Sequence, residues 1–263
     1  MKKIQMDIKV TIVTPSYNQG QFIEETILSV LNQTYKNIQY ILVDGGSIDN
    51  TMDIVKKYQD RIDIVLHEKD KGQTDAINKG FRLAAGELVG WINSDDILYD
   101  DCIEKIVNLY LANQDGAIYY GSKSDFIDEN GYVFKLNVHR IPNKTHLLND
   151  NYSIIQQGSF YRLDIVDKCN FLDDKLNYCM DLDLWLKLLD FGSIYSFDEK
   201  SLSAFRWWGN TKTLNGGYKF FREIRTTIIK YGAYPFSHNV RLLYWYELKD
   251  YVKRLLIILK LEN

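Results

Sequence analysis

The sequence predicts an α/β fold: a mostly parallel, Rossmann-like sheet with helices on both faces, followed by a helical C-terminal extension. Three observations predict it. β-branched runs alternate with stretches of helical spacing through the first 113 residues. Each run gives way to a polar or glycine-rich cluster, and beyond residue 216 the spacing is largely helical. Strands separated by helices align in parallel and are covered on both faces.

Taken in order, Lys9 to Thr14 (KVTIVT) is the first strand, and Phe22, Ile23, Thr26, Ile27, Val30 and Leu31 then recur at the spacing of one helix face. Gln39 to Val43 (QYILV) is the second strand, stopped by Asp44-Gly45-Gly46. Residues 50–58 form a helix with Asp49 or Asn50 as its cap. Ile62 to Leu66 is a third strand, and residues 74–85 are a helix closed by Gly86. Leu88 to Ile92 (LVGWI) is a fourth strand running into Asn93-Ser94-Asp95-Asp96, and residues 100–113 are helical. Downstream, Glu129-Asn130-Gly131 between two apolar segments signals a hairpin, and residues 156–161 read as a strand. Residues 181–190 place Leu182, Trp185, Leu186 and Leu189 on one helix face. The helical end is broken near Gly232–Pro235. With no repeat or low-complexity linker, the expected organisation is one domain over residues 1–216 and an extension over 217–263.

The chain has 263 residues, 46% of them hydrophobic and 25% charged, an ordinary globular composition that argues against disorder. A net charge of −3 argues against a surface that grips nucleic acid. Cys102, Cys169 and Cys179 are odd in number and widely spaced, so neither a disulfide framework nor a CxxC knuckle is expected, and a reducing cytoplasm is. The opening MKKIQMDIKV lacks a signal-peptide core, and no window reaches the roughly 18 apolar residues of a membrane span. A soluble protein, or one peripheral at the inner face of the cytoplasmic membrane, is expected. From Tyr218 onward nine basic residues face four acidic ones, a net of +5, which leaves −8 for the rest of a chain totalling −3.

In open parallel sheets, ligands bind beyond the carboxyl ends of the strands. Four polar clusters follow the four strands: Pro15–Gly20, Asp44–Asp49, His67–Asp75 and Asn93–Asp96. They should converge on one rim, a site for a polar ligand. Asp95 and Asp96 are adjacent acids at a strand end. A hard cation, Mg²⁺ or Mn²⁺, would neutralise them and hold a diphosphate, whereas the plainer reading is a solvated turn that caps the next helix. The Gly45-Gly46 backbone admits close approach of a ligand, and Asp44 beside it suits a base N–H or ribose hydroxyl. Tyr17 suits stacking on a base, with Ser16 and Asn18 as hydrogen-bonding neighbours. Either loop alone is equally an ordinary turn.

Together these segments say more. TIVTPSYNQGQFIEETILSVLNQTYKNIQYILVDGGSIDNT and EKDKGQTDAINKGFRLAAGELVGWINSDD strongly resemble the opening and continuation of the family 2 glycosyltransferases, which have the GT-A fold. The second block ends in a DxD-type metal motif, here Ser94-Asp95-Asp96. The resemblance runs nearly unbroken from about Thr11 to Asp96. It implies a nucleoside pocket lined by Pro15, Ser16, Tyr17 and Asn18, with Asp44 on the base and Gly45 and Ser47 beside it. It places Asp70, Gln73, Asp75, Asn78 and Lys79 near the donor, Asp96 as the main metal contact, and Asp95 beside the ribose or sugar.

LNYCMDLDLWLKL, residues 176–188, resembles the segment that supplies the family's catalytic base. The family's Glu-Asp pair is Met180-Asp181 here, so Asp181 is the base that the resemblance implies. Gln156 to Arg162 is similar to a strand beneath the acceptor site. Ala204 to Thr213 resembles a closing motif, Arg-x-His-x-x-Ser-x-Thr, with Trp208 in place of His. A side-chain metal ligand is therefore in doubt there, while Arg206 and Lys212 remain candidates for phosphate.

The activity implied is inverting, metal-dependent transfer of a hexose-type sugar from a nucleotide sugar, UDP-linked by preference, to an acceptor hydroxyl. A glycan or lipid-linked oligosaccharide in surface polysaccharide synthesis is the expected acceptor. Two alternatives stand beside it: a sugar nucleotidyltransferase, which would need a basic glycine-rich loop that residues 15–20 lack, and an inactive glycan-binding or scaffold protein. At the C-terminus, Leu248, Tyr251, Val252, Leu255, Leu256, Ile258 and Leu259 share a helix face beside Lys249, Lys253, Arg254 and Lys260. That helix suits an anionic membrane, or packing on the core or on a second subunit of a homodimer.

Overall fold

The computed structural model describes residues 7–209 and 216–261, with side chains described through Arg254. The expected alternation is present: β1 (Val10–Ser16), α1 (Ile23–Leu31), β2 (Ile38–Asp44), α2 (Thr51–Tyr58), β3 (Ile64–His67), α3 (Gln73–Arg82), β4 (Leu88–Trp91). After β5 (Ile97–Leu98) come α4 (Cys102–Ala112), β6 (Gly116–Gly121), β7 (Lys123–Ile127), β8 (Val133–Val138) and α5 (Lys144–Asn149). Next are β9 (Ser159–Arg162), α6 (Leu163–Lys168), α7 (Met180–Leu188), β10 (Ser193–Phe197) and β11 (Ser203–Arg206). Two helices close the described chain, labelled here α8 (Gly217–Lys230) and α9 (His238–Leu261).

Seven strands form the main sheet in the order β10-β6-β9-β4-β1-β2-β3. β1 pairs in parallel with β2 and β4, β2 with β3, and β10 with β6, whereas β9 runs antiparallel to both β4 and β6. Successive strand residues face opposite sides. Ile12, Tyr40, Leu42 and Leu88 enter one apolar cluster, with Ile27 of α1, Ile54 of α2 and Ile106 of α4. Val13, Ile41, Val43 and Val89 enter the other, with Ile77 of α3, Trp185 of α7 and Ile228 of α8. Burial on both faces explains why the strands read as unbroken apolar runs. Gly80 lets α3 lie close against β1, because a Cβ there would collide with the Val13 side chain.

One feature departs from the sequence expectation. A second sheet, ordered β5-β11-β7-β8, sits beside the first. The expected hairpin is part of it, as the antiparallel pair β7 and β8. The helical end packs on the body: Ile224, Ile228, Val240 and Leu243 share the Trp185 cluster. Among the described residues no helix is long and apolar enough to cross a membrane.

Candidate functional site

The loops after β1, β2, β3 and β4 meet at the carboxyl edge of the sheet and are bonded to one another. Asn18 (φ 50°) donates its backbone N–H to Ser47 Oγ at 2.7 Å and accepts from the Ile48 N–H through its side chain at 2.9 Å. The Gly45 N–H donates to the Ser16 carbonyl at 2.8 Å, and Gly20 and Gln19 donate to Asp49 and Thr51. Gly46 (φ 87°) occupies the left-handed region that glycine tolerates best. Gly45 must be glycine for space, since a Cβ would strike the Asp70 carboxylate. Tyr17 projects from this rim, 58% exposed. Ser16 Oγ is buried and has no hydrogen-bond partner among the described residues, the kind of group that a bound polar ligand would satisfy.

Asp95 and Asp96 follow β4. Asp96 is fully buried and accepts three hydrogen bonds: from Gln157 Nε2 (2.9 Å), Asn93 Nδ2 (3.1 Å) and the Arg206 N–H (2.9 Å). Asp95 is less deeply buried and accepts from the Trp208 indole N–H at 2.9 Å. Burial, and then the adjacent Asp95 charge, push Asp96 up to about 8, and burial likewise raises Asp95. Beneath the pair lies Arg206. Its guanidinium donates to the carbonyls of Asp95 (2.9 Å), Asp128 (3.1 Å) and Glu129 (3.2 Å) and to Glu25 (2.6 Å), and it covers the Phe22 ring at 4.7 Å.

Asn93 extends this network, accepting from Gln73 Nε2 at 2.7 Å. Beside Gln73, the Thr74 hydroxyl contacts the Met180 sulfur. Met180 opens α7, and Asp181 is the next residue, partly buried and accepting from the Leu182 N–H at 2.8 Å. The acidic pair and Asp181 are thus joined by one chain of contacts.

Burial and bonding bear on several of the roles that the resemblance implies. Arg206, for which the resemblance implies a phosphate contact, is fully buried with four of its five N–H donors bonded to the protein. Asp44 was expected on a base, but it is fully buried and shapes its own loop, accepting from the Gly46 and Ser47 N–H groups, Ser47 Oγ and His67 Nδ1. Asn78 bonds reciprocally with the Leu172 backbone and so ties α3 to the segment before α7. Lys79 pairs with Glu68 at 2.8 Å and lies 3.6 Å from Asp75, which also accepts from the Lys71 N–H. Of the acidic pair, Asp95 is the more accessible carboxylate, the reverse of the order expected for a metal contact. Asp70 accepts from the Gly72 N–H at 2.8 Å and lies against Gly45. Pro15, Gly45 and Ser47 stand on the rim; Lys212 lies outside the described residues. Sequence reasoning missed Glu25 and the bonds of Asn93 and Gln157 to Asp96; Asn93 lies inside the acidic cluster and Gln157 inside the segment 156–162, whereas Glu25 carried no signal.

The fold and site define a nucleotide-diphosphosugar transferase architecture, and comparison makes this specific. Residues 11–170 match glycosyl transferase family 2, and the chain belongs to that family. An uncharacterised glycosyltransferase of Rickettsia typhi is 31% identical over 216 residues, 77% of this chain and 65% of that protein. The putative teichuronic acid biosynthesis glycosyltransferase TuaG of Bacillus subtilis is 39% identical over 36% of this chain and 39% of its own length. The chain thus spans less than two thirds of these relatives. Among solved structures, S. aureus TarS 1–349 in complex with UDP-GlcNAc superposes with a TM-score of 0.68 at 17% identity, over 85% of this chain and 66% of TarS. The mannosyltransferase PcManGT of Pyrobaculum calidifontis, in complex with GDP-Man and Mn²⁺, gives 0.61 at 15% identity, over 85% of this chain and 63% of that one. These likenesses establish the GT-A fold.

Proposed function

We propose that this protein transfers a sugar from a nucleotide sugar, UDP-linked by preference, to an acceptor hydroxyl with inversion, using Asp181 as general base. The observation that carries the reading is the contact chain from Asp96 through Asn93, Gln73, Thr74 and Met180 to Asp181. Asp181 takes the acceptor proton, the acceptor oxygen attacks the anomeric carbon from the opposite face, and the nucleoside diphosphate leaves with the bonding pair. An α-linked donor then gives a β-linked product. The similarity to TuaG, a putative teichuronic acid biosynthesis glycosyltransferase, supports a glycan or lipid-linked acceptor in surface polysaccharide synthesis.

The acidic pair fits a divalent cation of the substrate-borne kind. Among the described residues no cluster of three His, Cys, Asp or Glu side chains could cage a metal. Mg²⁺ and Mn²⁺ need only one or two carboxylates when phosphates and water complete the shell. Asp95, with Asp96 behind it, would hold the ion. Trp208 is a donor-only indole and contributes no ligand. A bound cation would screen the diphosphate and stabilise it as a leaving group. Release of nucleoside diphosphate from a panel of UDP-, GDP- and dTDP-sugars, in Mn²⁺ and in EDTA, tests the reading. Metal-dependent release from one base class is expected, and no release from any donor would leave a binding protein. Because Asp96 is raised to about 8, a cation competes with a proton below that pH. Mn²⁺ affinity in the presence of the nucleotide should therefore rise from pH 6 to pH 8, by up to about tenfold per unit. Titration calorimetry at the two pH values checks this, and a flat response contradicts it.

The exposed side of α9 supports a peripheral lipid contact at the inner face of the cytoplasmic membrane. Tyr244, Trp245, Leu248, Tyr251 and Val252 are each 44–61% exposed, beside exposed Arg241, Lys249 and Lys253. Aromatic and aliphatic residues flanked by cations suit an anionic bilayer surface. Co-sedimentation with phosphatidylglycerol vesicles should be lost in a Trp245→Ser/Leu248→Ser double variant. A monomer–dimer shift with no vesicle binding would assign the stripe to a second copy instead.

A further inference from the structure

We propose that α8 belongs to the catalytic apparatus: Glu223 is the positioning residue that fixes the start of α7 and with it Asp181. The inference rests on the reading of Asp181 as base. The first N–H groups of any helix lack partners within the helix and need an acceptor from outside. Ser, Thr, Asp or Asn at the N-cap supplies one locally. Here the N-cap is Cys179, which makes no side-chain capping bond. From α8, Glu223 supplies an acceptor for the N–H of the N-cap residue itself and for those of the two residues that lead into it. Its carboxylate takes the N–H groups of Asn177 (3.0 and 3.2 Å), Tyr178 (2.6 Å) and Cys179 (3.0 Å), the last two residues before α7 among them. A carboxylate at a helix N-terminus is favourable as well as geometrically suited.

The neighbours of Glu223 on the same helix face extend the grip. Phe220, one turn earlier, meets the Tyr178 ring edge-on at 5.9 Å. Thr227, one turn later, lies 3.3 Å from Cys179 Sγ. Just beyond the helix, the Tyr231 hydroxyl donates to the fully buried Asp183 at 2.8 Å. The opposite side of α8 is anchored to α9 by Arg225 on Glu247 and by Phe221 stacked on Tyr246. Asp181 is two residues beyond the last amide that Glu223 holds. A general base must sit within hydrogen-bond reach of its proton, and displacement by about 1 Å costs on the order of a hundredfold in rate. The donor loops after β1 to β4 make no described contact with Glu223, so its loss should act on kcat and spare donor affinity.

The test compares Glu223→Ala, Glu223→Gln and Asp181→Asn. Glu223→Ala should lower kcat at least tenfold with the donor KM within about twofold, and hydrogen exchange at residues 177–179 should accelerate. Glu223→Gln keeps a neutral acceptor and should recover most of the rate. If Asp181→Asn is inactive while Glu223→Ala turns over at the wild-type kcat, the positioning role is wrong. If the Ala variant does not fold, Glu223→Ser, whose hydroxyl is too short to reach the amides of residues 177–179, takes its place, and unchanged exchange with an unchanged kcat overturns the role equally. If Asp181→Asn itself turns over normally, the base assignment fails instead.

Discussion

Replacing Asp181 with Asn should lower kcat by about a thousandfold and leave nucleotide binding intact, since a positioned general base contributes about 10²–10⁴ in rate. Asn matches Asp in size, and its carbonyl still accepts the bond that the Leu182 N–H now makes. The variant should therefore melt within a degree or two of wild type. Steady-state kinetics together with a nucleotide thermal shift make the comparison. A rate within tenfold of wild type would show that another group removes the acceptor proton, while loss of the nucleotide shift would place Asp181 in donor binding.

Arg206→Met should be the most destabilising single change in the site region. Arg206 is fully buried, and its removal takes the guanidinium donor from the carbonyls of Asp95 and Glu129 and leaves the Asp128 carbonyl with the Gly131 N–H. Breaking a buried, hydrogen-bonded charge costs about 3–5 kcal/mol, and the lower end applies because Glu25 is half exposed and solvent compensates it. For a chain of this size that corresponds to a fall in Tm of roughly 10 °C. Arg206→Lys should recover little, because an ammonium cannot reach four acceptors in the plane of a guanidinium. Thermal melts of the two variants check this. A variant that melts normally but has lost nucleotide binding would restore the phosphate-binding role that the sequence motif implies.

The parts legible in the sequence were those set by local pattern. The runs at β1 to β4 are short, apolar and each stopped by polar residues, so both the strand order of events along the chain and the shared rim could be read. The second sheet could not. β5 has two residues and β11 four, and β11 pairs in parallel with β7 across a separation of about 80 residues, with no turn to announce it. β9 inserts antiparallel between β4 and β6 by the same long-range pairing. Among site residues, chain position identified candidates without revealing their burial. Arg206 reads as a loop cation, yet its partner Glu25 lies 181 positions away. Asp44 reads as a ligand contact, yet His67 and its own loop absorb it. Glu223 reads as an exposed helix acid, and only the fold brings it to the start of α7.

The most direct measurement is a thermal-shift panel with UDP, GDP, dTDP and CMP, each with and without Mn²⁺, on the wild-type protein and on Asp95→Asn and Asp96→Asn. A ligand bound only to the native state at about 100 times its Kd adds roughly 2.7 kcal/mol of stability. The expected result is a Mn²⁺-dependent shift with one nucleotide, UDP by preference, that is weakened in both variants. A folded wild-type protein that shifts with no nucleotide, with or without metal, would contradict a donor site on this rim.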